Sequence, residues 1–211
     1  MVQGICFLTT LVTALLGNYG RKKLEKALDN FSGNALEHTS KDWMRCFVTI
    51  LFSAFFSIKF EAKGLVVVAF LYGLSFGILL ITMQSDWDTC LVYRFWWWMF
   101  GLVAVGMMIC SWQPGDCPTC VQMKEWGLFC VLQYLLFARM YGRADCHGFA
   151  CFSFLLLRKG GRMEQMLVLM LLSICFLGLV QLVKRNVNRK GNLKRPVPFL
   201  PYMTFAFLIL W

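Results

Sequence analysis

Residues 64–83 read GLVVVAFLYGLSFGILLITM, twenty consecutive residues without a charge. About 20 apolar residues in an α-helix cross the hydrocarbon core of a bilayer. The rest of the chain has a similar character, since 59% of its 211 residues are hydrophobic and only 15% are charged. Soluble domains average roughly 45–50% apolar and about 25% charged residues. The composition therefore indicates an integral membrane protein and excludes an ordinary soluble domain.

Charged and turn-rich breaks divide the chain into eight apolar segments. These cover residues 5–16, 46–58, 64–83, 95–112, 126–138, 146–157, 166–183 and 197–211. Three are long enough to span a bilayer unaided, and the others would need flanking residues, tilt or local thinning. The expected fold is all-α, a polytopic membrane helix bundle of about eight (six to eight) spanning or near-spanning helices. An N-terminal anchor and basic loop over residues 1–45 would precede a membrane core over residues 46–211.

The charged residues predict an orientation. The 21 Lys and Arg residues outnumber the 11 Asp and Glu residues, for a net charge of +10. Two basic clusters follow the first and seventh segments: Arg21, Lys22, Lys23, Lys26 and Lys41, then Lys184, Arg185, Arg189, Lys190, Lys194 and Arg195. Short basic loops stay cytoplasmic, so this face of a multi-pass cell-membrane protein is expected in the cytoplasm. No aromatic residues interleave with these runs to stack on bases, so the expected partner is the bilayer and not nucleic acid.

The positions of the cysteines and histidines in the sequence predict no metal site. Most of the ten cysteines lie inside apolar segments, where they behave as small hydrophobic residues. Cys117 and Cys120 form one C-x-x-C pair without the second pair that a structural zinc site needs. The only histidines are His38 and His147. We expect no metal and no other cofactor.

Two residue patterns predict packing. Gly73 and Gly77 form a G-x-x-x-G motif in the third segment, which is typical of close helix contacts inside a membrane bundle. Trp126 and Trp211 are among several tryptophans at segment ends, where indole rings suit the headgroup zone. These tryptophans are therefore expected to anchor the chain at the membrane surface.

Acidic residues at segment ends are the candidates for chemistry, because a charge inside a membrane costs about 2.5–3.5 kcal/mol. Asp86 and Asp88 follow the third segment, Asp145 lies between the fifth and sixth, and Asp116 lies in a turn on the opposite face. Two carboxylates held close together share a proton and can activate a water molecule. The alternative is that these acids are helix-end residues facing water, with Asp145 as an N-cap.

Three short motifs stand in order along residues 46–211. Asp86 precedes residues 92–94 (VYR) by six positions, residues 142–145 read GRAD, and residues 196–202 read PVPFLPY. They resemble motifs of the type IV prepilin peptidases, which are GxGD-type intramembrane aspartyl proteases. The family has an Asp six residues before Ile-Pro-Asp or Ile-Tyr-Asn, then G-x-G-D, then Ile-Pro-Phe-Gly-Pro-Phe at the entry to the last helix. The chain looks like a short form of this family.

The resemblance implies a catalytic dyad of Asp86 and Asp145, with Gly142, Arg143 and Ala144 as the supporting loop. By the family pattern, the dyad cleaves the short basic leader peptide of prepilin or pseudopilin-like precursors at the cytoplasmic face of the membrane. Such enzymes serve type IV pilus assembly and protein secretion. The carboxylate pair activates the water, so the resemblance implies no metal.

Several positions depart from the family pattern. Ala144 replaces the second glycine of G-x-G-D, and alanine reaches some glycine conformations only at a cost. His147 stands where many members have lysine and is expected to be a loop residue. Asp88 matches no required position and is expected to be a solvated neighbour. Larger members carry an N-terminal domain with two C-x-x-C pairs and methylate the new terminus, so methyltransferase activity is not expected here.

Two other functions stay open. A small membrane transporter or channel could use the same aspartates to bind a cation or a proton. Uptake that is lost with Asp145, without any precursor cleavage, would favour it. A catalytically impaired membrane scaffold of a pilus or secretion assembly is the second alternative, and the alanine at position 144 keeps it open.

Overall fold

The computed structural model describes residues 1–32, 42–60, 66–110, 118–187 and 197–211. Every regular element within these ranges is helical, and together they hold eight helices. These are α1 (Val2–Ser32), α2 (Asp42–Lys59), α3 (Val66–Thr89), α4 (Arg94–Cys110), α5 (Cys120–Leu132), α6 (Arg143–Arg158), α7 (Met163–Val187) and α8 (Leu200–Leu210). Helix α5 continues through a π-helical turn, Gln133–Phe137, and a last turn, Ala138–Tyr141. Each helix overlaps one predicted segment, so the all-α prediction is confirmed.

Three helices are long and apolar enough to cross a membrane. The candidate spans are Val2–Lys23 in α1, Val66–Thr89 in α3 and Met163–Val183 in α7. Their presence supports membrane association. The prediction for the first segment was too short, because α1 begins at Val2 and continues past residue 16 through polar sequence to Ser32.

The chain divides into two compact units, Met1–Trp112 and Gln113–Trp211. Helices α1 to α4 belong to the first unit and α5 to α8 to the second. The expected division into an anchor over residues 1–45 and a core over residues 46–211 is a functional one, and it stays a prediction.

The first unit is built on a close contact between α1 and α3. A Cβ atom added to Gly73 would lie 2.8 Å from the carbonyl oxygen of Cys6, and one added to Gly77 would lie 2.7 Å from Cβ of Thr13. These distances are too short for any side chain, so the two glycines allow α3 to approach the backbone of α1. The G-x-x-x-G prediction is confirmed. Helix α2 adds a stacked ring pair with α3, Phe56 on Phe76, with 4.0 Å between centroids.

The second unit is built around α6, whose side chains from Cys146 to Leu157 are mostly buried. On one side, the ring of Phe152 packs against Phe207 of α8 with centroids 5.0 Å apart. Gly148 faces Leu200 and Met203 at the start of α8, in the region of the third family-like motif. The sixth segment is therefore the central helix of its unit, which explains why its apolar residues show no exposed face.

The two tryptophans of the second unit contact other residues of that unit, and their expected role as membrane anchors stays a prediction. The indole N–H of Trp126 donates to Oγ of Ser153 at 3.0 Å, and the ring packs edge-on against Phe154. Trp211 is only 6% exposed and lies against Phe207. Both rings therefore take part in the packing of the unit, with Trp126 half-buried and Trp211 buried.

Candidate active site

Asp86 lies in the last turn of α3 and is 7% exposed. The helix is closed immediately after it: the N–H of Cys90 donates to the carbonyl of Asp86 at 2.9 Å, and Cys90 takes a left-handed φ of 53°. The hydroxyl of Ser85 also donates to the carbonyl of Leu91 at 2.7 Å. These bonds fix the end of α3, so the Asp86 carboxylate is attached to a well-defined turn.

A buried polar network surrounds this end of α3. Gln84 is 4% exposed, and its Nε2 donates to Oγ1 of Thr49 on α2 at 2.5 Å. Its Oε1 accepts a hydrogen bond from Nδ2 of Asn18 on α1. Three helices therefore meet through polar contacts in the region where the sequence places Asp86.

Asp88 is at the centre of a charged cluster. Nη2 of Arg21 donates to its Oδ2 at 2.7 Å, and Nη2 of Arg45 forms an ion pair with its Oδ1 at 2.8 Å. The side chains of Asp88 and Arg21 are 2% and 0% exposed. The prediction that Asp88 is a solvated acid is wrong, because its charge is buried and balanced by two arginines. Removing one partner from such a cluster typically costs about 3–5 kcal/mol of stability.

Asp145 lies in the first turn of α6, where it is partly exposed. The N-cap of this helix is Gly142, so the alternative reading of Asp145 as the N-cap is wrong by three positions. A carboxylate in the first turn still faces the positive end of the helix dipole. The position therefore favours the ionised form of Asp145.

The three residues of the supporting loop have different environments. Gly142 has φ 101° and ψ 160°, a backbone conformation that is open essentially only to glycine. Arg143 is exposed, and Ala144 already belongs to the helical first turn of α6. Among the described non-glycine residues only Cys90 has a positive φ, so the alanine at position 144 meets no backbone strain.

His147 is one turn further along α6 and is not the loop residue that the sequence predicts. Its Nδ1 donates to the carbonyl of Arg143 at 2.6 Å, and its ring meets Tyr134 edge-on with centroids 5.4 Å apart. The first contact lies within the start of α6, and the second joins α6 to the π-helical turn that continues α5. The imidazole therefore supports the local structure around Asp145.

Sequence reasoning missed the π-helical turn that precedes this site. Gln133 opens the turn and is 1% exposed; its carbonyl accepts from Sγ of Cys146, and its Nε2 lies 3.0 Å from Sδ of Met170. These contacts hold the first turn of α6 between α5 and α7. Such turns often occur near functional sites, but the local sequence contains no proline or glycine that could have indicated one.

The two predicted dyad residues belong to different units: Asp86 lies in the first and Asp145 in the second. Asp116, Cys117 and His38 lie outside the described residues. Within the described part of the chain, no three His, Cys, Asp or Glu side chains are grouped so as to bind a metal ion.

Comparison with known proteins adds no assignment. No protein-family model matches the chain, and no curated protein and no solved structure matches it either.

Proposed function

We propose that this protein is a membrane aspartyl endopeptidase that removes the leader peptide from prepilin or pseudopilin-like precursors. The observation that carries the proposal is Asp86, a carboxylate that is 7% exposed at the fixed end of an apolar, membrane-length helix. A buried ionisable group at such a position is costly and is retained for function. Asp145, at the start of α6, is the second member of the proposed dyad.

The surroundings suggest how the two carboxylates divide the work. In the proposed mechanism the two carboxylates share one proton, and Asp86 is the member that donates it. The helix dipole favours ionised Asp145, which acts as the base. The Asp145 carboxylate takes a proton from the attacking water while Asp86 donates its proton to the carbonyl oxygen of the scissile amide. The tetrahedral intermediate then breaks at the C–N bond: protonated Asp145 gives its proton to the leaving nitrogen, and a hydroxyl group of the intermediate returns one to Asp86 as the carbonyl re-forms. The products are one carboxylic acid and one amine, and both aspartates regain their starting states.

The substrate fits the charge distribution of the chain. The apolar helix of the precursor would lie in the bilayer beside the bundle, and its basic leader would stay in the cytoplasm. The basic sequence clusters after the first and seventh segments support a cytoplasmic face in the cell membrane. In this orientation the scissile bond reaches the dyad at the cytoplasmic side, and the products are a free leader peptide and a mature pilin-like protein.

The test is precursor cleavage by the full chain in lipid vesicles. Asp86→Asn and Asp145→Asn are each expected to lower the cleavage rate by at least about a thousandfold, since losing one member of such a pair removes an essential proton transfer. Glu164→Gln is the matched control, because Glu164 is an exposed acid in the first turn of α7 in the same unit as Asp145. This variant should cleave at the wild-type rate.

The proposal makes the two aspartates indispensable and the control acid dispensable. Cleavage at an undiminished rate by either Asp→Asn variant, with the protein correctly inserted, would disprove it. Cation or proton flux that depends on Asp145, in vesicles where no precursor is cleaved, would instead support a transporter.

A further inference from the structure

The carboxylate of Asp145 lies against the first turn of its own helix. Its Oδ2 is 3.8 Å from the position that a Cβ atom would take at Gly142. The N–H of Cys146 donates to the carbonyl of Gly142 at 3.4 Å, which closes this turn. Because Asp145 is partly exposed, the place of its carboxylate depends on how the start of α6 is held.

The two residues that follow Asp145 both contact the π-helical turn of α5. Sγ of Cys146, which is fully buried, donates to the carbonyl of Gln133 at 3.4 Å. The ring of His147 meets the ring of Tyr134 edge-on, with 5.4 Å between centroids and 87° between planes. The first two residues of the π-helical turn therefore hold the two positions next to the proposed base.

The π-helical turn is itself held by another helix. Gln133 is 1% exposed, and its Nε2 lies 3.0 Å from Sδ of Met170 on α7. Tyr134 is 38% exposed, so its ring is a contact at the edge of the unit and not part of the buried core. Gln133 thus fixes the turn against α7, and Tyr134 carries the contact to α6.

We propose that Tyr134 is a positioning residue for Asp145, an inference that rests on the proposed function. Its ring supports His147, which in turn donates through Nδ1 to the carbonyl of Arg143 at 2.6 Å. Arg143 and Asp145 belong to the same first turn of α6. The ring pair therefore limits the movement of this turn and keeps the carboxylate aimed at the attacking water. Tyr134 touches neither the water nor the scissile bond.

The experiment measures leader cleavage by the full chain in lipid vesicles. Tyr134→Ala removes the ring and is expected to lower kcat by about ten- to a hundredfold, since a displacement of about 1 Å can cost a hundredfold in rate. KM should stay near the wild-type value, because Tyr134 makes no contact with the precursor. Tyr134→Phe keeps the ring and should cleave at the wild-type rate. The matched control is Leu135→Ala in the same turn, where the side chain is 72% exposed and its loss should not change the rate.

A double-mutant cycle tests whether the two rings act together. His147→Ala is expected to lower kcat by at least as much as Tyr134→Ala, and the double variant should be no slower than His147→Ala alone, because residues in contact are not additive. Losses that multiply in the double variant would contradict the proposal. Tyr134→Leu, which keeps an apolar side chain without the ring, replaces Tyr134→Ala if that variant does not insert.

The outcomes distinguish this inference from the proposed function. If Asp145→Asn is inactive while Tyr134→Ala cleaves like the wild type, or raises KM instead of lowering kcat, the inference fails alone. If Tyr134→Phe is as slow as Tyr134→Ala, the hydroxyl takes a direct part in the reaction and the positioning role is wrong. If Asp145→Asn cleaves like the wild type, the proposed function fails and the inference fails with it.

Discussion

Gly142 and Ala144 precede Asp145 by three residues and by one, and their backbones differ in a way that matters for the proposed chemistry. Gly142 has φ 101° and ψ 160°, where a Cβ atom is strongly disfavoured. Ala144 is helical, and its methyl group is compatible with the first turn of α6. The backbone requirement for glycine thus falls on position 142, and the alanine at position 144 is no argument against activity.

Substitutions at these two positions should therefore have different effects. Gly142→Ala forces a side chain into a glycine-only conformation and is expected to cost about 1–3 kcal/mol and to reduce cleavage. Ala144→Gly should cost no more than about 1 kcal/mol of helix stability and should not raise the cleavage rate. Thermal unfolding in detergent and leader cleavage measure both effects. A large gain of activity in Ala144→Gly would contradict the helical assignment of this residue.

At the residue scale, the sequence predicted Asp86 and Asp145 as candidates but misplaced Asp88. The pattern Asp-Trp-Asp gives no sign of the partners that bury the second acid. Arg21 lies 67 positions away in the sequence, and the contact exists only because α1 packs against α3. Long-range pairing of this kind is invisible to local patterns.

At the scale of elements, the close contact between α1 and α3 is expected to stabilise the first unit. Gly73 lies against the backbone of Cys6, whereas Gly101 on α4 has no atom within 4 Å of an added Cβ. Gly73→Ala is therefore expected to cost about 1–3 kcal/mol through overpacking. The same change at Gly101 should be neutral or should stabilise by up to about 1 kcal/mol through helix propensity. Thermal unfolding of the two variants measures this difference. If the two variants are equally stable, the close contact between Gly73 and α1 is contradicted.

Most of the elements could be predicted because apolar runs in a membrane protein must form helices that satisfy their own backbone. Their ends were less predictable. Helix α1 runs through polar residues to Ser32, and α5 contains the π-helical turn at Gln133–Phe137. Hydropathy reports where a helix is apolar, and it does not report where the backbone stops being helical.

At the scale of the whole molecule, the proposed dyad takes one aspartate from each of the two units. The first unit contributes Asp86, which precedes the buried Asp88 by two residues. The second unit contributes Asp145, at the start of its central helix. The sequence motifs predict that these residues act together. The order of the motifs and the helical pattern could be read from sequence, and the pairing of the two aspartates stays a prediction.

The most direct test of this pairing is a cross-link between the two positions in membranes. In a chain whose native cysteines are replaced, Asp86→Cys combined with Asp145→Cys is treated with a short bifunctional thiol reagent, and Asp86→Cys combined with Glu164→Cys is the control. We predict efficient intramolecular cross-linking of the first pair and little of the second. If the first pair does not cross-link although each single cysteine reacts with the reagent, the two carboxylates do not meet and the proposed dyad is wrong.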